Sequence, residues 1–375
     1  MAAAATEPAG ANGRVNGNCT PGFAETGSEP NAKRARFAKS EGSANASEPS
    51  EPPTKRAVLP LLRRLISDLN RRILQSPQEL LSFEELEDFA EATTPSEDEP
   101  AKIAQLRKQL TTALHQYFRS RWPTAKSDWT AEEMARGLDR PTGNRSLGAF
   151  AVDLSAVGVP YINAAKVPGV AADAISYLVT QHPLPATVGH FWRMVLHLRP
   201  TVIVMLNGHV TSDAAQDGFA LAPYWEPTAV EGFSLAVEEV RYDSASECSV
   251  RMLRCKHGDD VWSGPQIVVP WWRDQSEPPL GSFLQLDRLV DSFLTSGTSQ
   301  CVLVHCAGGI GRAGVFVAAD AGGRAAIRGE ARCCSPDRLM GHLRQCRMNM
   351  VQTAEQYEFL HRALPLLTKQ MRAAK

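Results

Sequence analysis

The chain has 375 residues, of which 43% are hydrophobic and 22% charged, enough to bury one large domain plus an appendage. Its formal net charge of −1 argues against nucleic acid as the main ligand, because binding a phosphate backbone needs a concentrated basic face. No apolar run reaches the length of a bilayer span, and the start, Met1-Ala2-Ala3-Ala4-Ala5-Thr6-Glu7, lacks the basic and apolar regions of a signal peptide, so the expected location is the cytoplasm or the nucleus.

Residues 1–57 are mostly Ala, Gly, Ser, Pro, Asn and Glu with almost nothing aliphatic. Such a segment cannot bury enough surface to offset its ordering entropy and is expected to be a disordered tail. Within it, Lys33-Arg34-Ala35-Arg36 reads first as a solvated charge patch and second as a nuclear import signal. With no secretory route visible, Asn18-Cys19-Thr20 and Asn45-Ala46-Ser47 carry no meaning as glycosylation acceptors.

A helical extension is predicted over 58–125. Leu62, Leu65, Ile66, Leu69 and Ile73 share one face, and Ile103, Leu106, Leu110, Leu114 and Tyr117 form a second stripe. Ser76-Pro77-Gln78-Glu79 reads as a capping box with Pro at the first helical position. The stripes are expected to be core, with a partner-binding groove as the alternative.

Beyond residue 140, short aliphatic runs alternate with helical stretches. Val202-Ile203-Val204-Met205-Leu206 and Val302-Leu303-Val304 read as buried strands of a parallel or mixed central sheet, which makes the fold class α/β. The second run leads into His305-Cys306-Ala307-Gly308-Gly309-Ile310-Gly311-Arg312-Ala313-Gly314, followed by helix-like Val315-Phe316-Val317-Ala318-Ala319. Three glycines let successive backbone N–H groups of Ala307, Gly308, Gly309, Ile310 and Gly311 curl toward one point, where the helix N-terminus adds positive charge. Arg312 can return its fork to the same hollow and grip a phosphoryl group, leaving Cys306 beneath the phosphorus. Helix terminus and guanidinium both favour the thiolate, the form that attacks.

Spacing alone does not carry this, because Cys248-Ser249-Val250-Arg251-Met252-Leu253-Arg254 has the same Cys-x5-Arg interval. That copy lacks glycine and suits a strand, so its Cys and Arg are not expected to close around an anion. The eight cysteines show no regular disulfide framework and no zinc-like spacing, so reduced thiols and no metal are expected.

The 305–314 run resembles the phosphate-binding loop of the non-receptor-type protein tyrosine phosphatase family, whose usual form is H-C-S-x-G-x-G-R-[ST]-G. Tyr161-Ile162-Asn163-Ala164 resembles its YINA, residues 180–195 resemble its TQGPLPxTVxDFWxMV, Tyr224-Trp225-Glu226-Pro227 resembles its YWP region, and Gln352-Thr353-Ala354-Glu355-Gln356-Tyr357 its QTxxQY. The landmarks fall in family order from about 140 to 366, so the resemblance implies a strongly twisted mixed sheet flanked by helices and a catalytic domain over 126–375. It implies hydrolysis of phosphotyrosine in proteins, without cofactor, through a cysteinyl-phosphate. Cys306 would be the nucleophile, Arg312 the phosphate clamp, and His305 a neighbour tuning the thiolate.

By the same resemblance, Trp271-Trp272-Arg273-Asp274-Gln275-Ser276-Glu277-Pro278 is a movable lid in which Trp272 is the anchor and Asp274 the general acid, later the base. Asp287 and Asp291 lie in a helix-like stretch and are poorer candidates for the acid. Gln352 would position the attacking water, with Gln356 assisting. Asn144-Arg145-Ser146 stands where the family has NRY, so the ring that stacks on the substrate is missing, worth roughly a factor of two to twelve in tyrosine preference. Ala313 replaces the Ser or Thr that assists the departing thiolate, a handicap of roughly ten- to a hundredfold. Ala220 and Leu221 replace a Lys-Cys pair, and the acidic partner of the loop Arg falls on Asp213 or Asp217. These losses leave two alternatives: a phosphatase with broader phosphoester specificity, and a phosphotyrosine-binding pseudophosphatase.

Overall fold

The computed structural model describes residues 55–75, 79–95, 99–123, 152–159, 161–170, 175–208, 222–227, 230–295, 299–330 and 333–374. Seven strands, β1 (Ala164–Val167), β2 (Ile175–Gln181), β3 (Val202–Met205), β4 (Ser234–Asp243), β5 (Cys248–His257), β6 (Asp260–Val268) and β7 (Gln300–Cys306), form one sheet in the order β1-β2-β7-β3-β6-β5-β4. β2, β7, β3 and β6 run parallel. β1 and the β5–β4 pair flank them antiparallel, so the sheet is mixed. Central parallel strands are covered on both faces, which is why the whole of β3 is aliphatic and buried.

The helices are α1 (Lys55–Gln75), α2 (Glu85–Thr93), α3 (Ala101–Arg121), α4 (Val188–Leu198), α5 (Leu280–Asp291), α6 (Gly311–Ile327), α7 (Pro336–Cys346) and α8 (Ala354–Ala373). Successive strand residues point to opposite faces, and β7 divides accordingly. Val302, Val304 and Cys306 join the core built from α1–α3 and α5–α8. Leu303 joins the core under α4, and His305 lies on that side too, 5.4 Å from the ring of Tyr224 and 6.2 Å from that of Phe191.

Both predicted amphipathic stripes are packed inward. Leu62, Leu65 and Leu69 on α1, with Ile103, Leu110, Leu114 and Tyr117 on α3, are buried, and Ile66, Ile73 and Leu106 pack against the same core. Phe118 meets Tyr357 of α8 at 5.2 Å, and Phe89 of α2 meets His361 at 5.3 Å, so the extension covers α8 with aromatic contacts. The helical backbone starts at Lys55, three residues before the expected boundary.

The predicted capping box starts no helix at Glu79, since α2 begins only at Glu85; Ser76, Pro77 and Gln78 lie outside the described residues. The reason is a tertiary competitor: the N–H of Leu80 donates to Asp337 Oδ2 at 2.7 Å, and Leu80 and Leu81 are buried. The N–H of Ser82 then donates to Glu85 Oε2 at 2.9 Å, in the turn that leads into the later helix.

Cys248 and Arg254 both lie in β5, where six residues of extended chain span about 20 Å. They cannot surround one anion, and burial pushes the Cys248 thiol up to about 11. No helix among the described residues is long and apolar enough to cross a membrane.

Candidate active site

β7 ends at Cys306 and α6 begins at Gly311, so the glycine run is the turn between a buried strand and a helix N-terminus. Its carbonyls are held from outside. The N–H of His182 donates to the carbonyls of Cys306 (2.8 Å) and Ala307 (3.1 Å). The buried guanidinium of Arg347 donates to the carbonyls of Gly308 (Nη2, 3.2 Å) and Gly309 (Nε, 2.8 Å). In a trans peptide the N–H of the next residue points opposite to the carbonyl, so the N–H groups of Ala307, Gly308, Gly309 and Ile310 face the inner side. That is the geometry of an anion-binding nest.

The turn tolerates little change. Gly309 has φ of 67°, and a Cβ there would lie 2.3 Å from the carbonyl oxygen of Thr180. A Cβ on Gly314 would lie 2.4 Å from the backbone nitrogen of Val351, whose N–H donates to the carbonyl of Ile310 at 3.1 Å.

Arg312, on the first turn of α6, is buried. Its Nη1 donates to the carbonyl of Trp272 at 3.0 Å, and its Nη2 pairs with Asp274 Oδ1 at 2.8 Å. Its buried Nε has no hydrogen-bond partner among the described residues, leaving a charged donor for an incoming group. Cys306, 2% exposed, sits one residue before the nest on the α6 side of β7.

The segment carrying Asp274 is fastened at several points. The Trp272 indole is fully buried, stands edge-on to Phe283 at 5.8 Å and donates to the carbonyl of Ser276 at 3.0 Å. Trp271 donates to the carbonyl of Ser246 at 2.8 Å, and Glu277 pairs with Arg362 of α8. Asp287 and Asp291 lie on α5, and Asp291 pairs with Arg324 at 2.9 Å.

Gln352, just before the N-cap of α8, and Gln356, on its first turn, reach the same place. Gln356 is fully buried; its Oε1 accepts from the N–H of Gln352 at 2.8 Å, and its Nε2 donates to the Ser276 carbonyl at 3.4 Å. A Cβ on Gly311 would lie 3.0 Å from Gln352 Oε1 and 3.1 Å from Gln356 Nε2. Both amides therefore lie against the start of α6. The capping box at Thr353 and Gln356 fixes the first turn, which carries Gln356 and directly follows Gln352.

His305 is buried and neutral. Desolvation first, then the neighbouring His182 and Arg312, pushes its pKa well below the ordinary value. Gln266 Nε2 donates to the Tyr224 hydroxyl (2.6 Å), and Tyr224, whose pKa burial raises, donates to His305 Nε2 (2.7 Å). The proton of the neutral ring is thereby assigned to Nδ1, which is buried without a hydrogen-bond partner among the described residues. His182 is also neutral, lowered to about 4 by desolvation. Its Nε2 donates to the Ala222 carbonyl at 2.8 Å, and its Nδ1 accepts from Asn207 Nδ2 at 3.1 Å.

Cys306, Arg312, Asp274, Gln352 and Gln356 are thus brought together around residues 306–312, and His305 is separated from them by the plane of the sheet. Asn144, Arg145, Ser146, Asp213, Asp217, Ala220 and Leu221 lie outside the described residues. Arg347 and His182 were missed by sequence reasoning. The only signal was a cation between buried Cys346 and Met350, and a His where the resembling stretch has Gly.

The sequence model described as Protein-tyrosine phosphatase matches residues 142–365. The chain is similar to mouse tyrosine-protein phosphatase non-receptor type 7, 33% identical over 216 residues, which are 56% of this chain and 57% of that protein. It is also similar to the rat phosphatidylinositol phosphatase PTPRQ, 31% identical over 238 residues, 60% of this chain and 10% of that protein. The solved structure of PTPN18 in complex with HER2 phosphopeptides superposes with a TM-score of 0.57 at 22% identity, covering 77% of this chain and 100% of that chain. That likeness concerns the fold. The chain spans about half the length of the non-receptor type 7 relative it matches. With the family model covering more than half of its residues, the chain belongs to the protein-tyrosine phosphatase family.

Proposed function

We propose that the protein hydrolyses phosphotyrosine in proteins through a cysteinyl-phosphate intermediate. The observation that carries this is the outward anchoring of four successive carbonyls, Cys306 to Gly309, on His182 and Arg347, which aims the N–H groups at one point beside a buried Arg with an unpartnered donor. Backbone donors fixed in advance stabilise charge that develops on equatorial oxygens without reorganisation at the moment of reaction.

In this reading the Cys306 thiolate forms the S–P bond while the P–O bond to the tyrosyl oxygen breaks, and Asp274 gives that oxygen its proton. Water oriented by Gln352 then attacks phosphorus, gives its proton to Asp274, and the S–P bond breaks to return the thiolate and inorganic phosphate. Arg312 clamps the oxyanion throughout, the incoming dianion displacing Asp274 from Nη2. His305, kept neutral first by desolvation and with its tautomer set by Tyr224, adds no positive charge near the sulfur and acts only through its dipole. Trp272 anchors the lid, and Gln356 links lid and water holder through Ser276. A cytoplasmic setting suits the described cysteines, which are free thiols.

Two departures bear on a second reading. Ala313 lacks the hydroxyl that would assist the departing thiolate, which favours slow turnover or a binding module. Ser146 in place of the stacking Tyr, together with the similarity to a phosphatidylinositol phosphatase, favours broader phosphoester specificity.

Phosphate release from para-nitrophenyl phosphate, a phosphotyrosyl peptide, a phosphoseryl peptide and phosphoinositide vesicles, by wild type and by Cys306→Ser and Asp274→Ala, tests all three. Turnover fastest on the phosphotyrosyl peptide and lost in Cys306→Ser supports the proposal. Absent turnover with tight peptide binding establishes the binding module, and a higher rate on lipid or phosphoserine the broader enzyme.

A further inference from the structure

α7 carries two charged residues on one face, seven positions apart, and both are occupied by the N-terminal helical segment. Asp337 is buried and accepts from the N–H of Leu80 (2.7 Å), the Trp122 indole (2.9 Å) and the Tyr117 hydroxyl (3.2 Å). Arg344, two turns on, donates Nη1 to the carbonyls of Trp122 (3.2 Å) and Pro123 (3.1 Å). Its guanidinium lies 5.9 Å from the ring of Phe118 and 5.7 Å from that of Trp122.

The other edge of the same guanidinium holds the approach to Gln352. Nε donates to the carbonyl of Met350 (3.1 Å) and Nη2 to that of Val351 (3.0 Å). This approach is strained, with φ of 56° at Asn349 and 58° at Val351. A β-branched residue in the left-handed region persists only where its surroundings over-determine it. Val351 is held by Arg344 from one side and from the other by the phosphate loop, where its N–H meets the Ile310 carbonyl and Gly314 leaves no room. Gln352 is the next residue.

We propose that Arg344 is a positioning residue through which the N-terminal helical segment holds Gln352 in place, so that hydrolysis of the intermediate depends on that segment while its formation does not. This rests on the reading of Gln352 as the water holder. The planar fork reaches four carbonyls on two segments at once, which an ammonium cannot do. With the Trp122 and Pro123 carbonyls and the two ring faces withdrawn, a partly buried cation would turn toward water and release Met350 and Val351.

The test uses the full chain with Arg344→Ala, Arg344→Lys, Trp122→Ala and Trp122→Phe. Deuterium exchange is read over 348–353, and rapid quench with para-nitrophenyl phosphate separates the burst from the slow phase. Expected in Arg344→Ala and Trp122→Ala is faster exchange over 348–353, an unchanged burst, and a slow phase reduced roughly three- to thirtyfold. Arg344→Lys should stay near Arg344→Ala. Trp122→Phe, which keeps a ring over the guanidinium and loses only the indole N–H, should fall between Trp122→Ala and wild type. Unchanged exchange over 348–353 in Trp122→Ala overturns the proposal. So does a burst that falls in step with the slow phase in Trp122→Phe, because that is the mark of a lower folded fraction. Should the wild type release no phosphate, the phosphatase reading fails by itself, and the exchange arm still decides whether the helical segment holds residues 348–353.

Discussion

Asp274 Oδ1 lies 2.8 Å from Arg312 Nη2, and the two differ in environment: the carboxylate side chain is 45% exposed and the guanidinium 6%. The proposed acid therefore occupies a donor that the proposed clamp needs for an oxyanion. In the proposed mechanism substrate binding is a competition between two anions for one fork, and the lid residue is released beside the leaving oxygen when the phosphoryl group wins.

Replacing Asp274 with Asn should separate the two roles. A half-exposed ion pair is worth about 0–1 kcal/mol, so freeing Nη2 should tighten binding of orthovanadate by at most about fivefold. Turnover of a phosphotyrosyl peptide should fall roughly 10²- to 10⁴-fold for loss of the general acid. Titration calorimetry with vanadate and steady-state kinetics on the same variant check both. Weaker vanadate binding would contradict the competition.

Ala313 is fully buried at the third position of α6. Ala313→Ser should restore a donor to the departing thiolate, worth about 1.5–3 kcal/mol, and speed breakdown of the intermediate roughly ten- to a hundredfold. The expected signature is loss of the burst, as the second step ceases to limit. A wild type that already shows linear, rapid release would rule this out.

Arg347 has no carboxylate partner among the described residues; it holds Gly308 and Gly309 by their carbonyls, and burial pushes its pKa down to about 10. Arg347→Met should weaken vanadate binding by tenfold or more, because the nest loses the groups that turn its carbonyls outward. Stability should fall by less than the about 1.5–3 kcal/mol per charged hydrogen bond would sum to, since a desolvated charge is removed as well. Arg347→Lys should not rescue binding, for a point charge cannot span both carbonyls. Calorimetry and thermal unfolding measure the two effects.

Stability should fall on mild acidification. His182 is held neutral in the fold, lowered to about 4 by desolvation, while the unfolded chain takes up the proton near the ordinary value of 6.5. Between those values the unfolded state binds more protons, so the contribution is present above about 6.5 and is lost as pH falls toward 4. His305, also lowered, first by desolvation and then by His182 and Arg312, acts in the same direction. His182→Gln should flatten the decline in Tm between pH 6.5 and 4, and an unchanged slope would show that the ring is not buried as described.

The chemistry-bearing run was legible because Cys306, the glycines and Arg312 are contiguous, and a strand on one side and a helix on the other leave one way to fold it. The parallel centre was legible for a related reason: Val202–Met205 and Val302–Val304 are aliphatic on both faces, as only doubly covered strands are. Arg344 and Arg347 were not, because their partners are backbone carbonyls, which leave no residue-type signature. The false helix start at Ser76-Pro77-Gln78-Glu79 failed for a comparable cause. Its backbone donor at Leu80 is taken by Asp337, 257 residues away, and no local pattern announces so remote an acceptor.

The alternation along β7 makes that strand a ruler. Inserting or deleting one residue between Gln300 and Cys306 would exchange the two faces, sending sulfur under α4 and imidazole toward the bowl. A single-codon indel there should abolish reactivity even where the sheet survives, whereas length changes in the β5–β6 hairpin turn, at the far end of the sheet, should be borne with little loss.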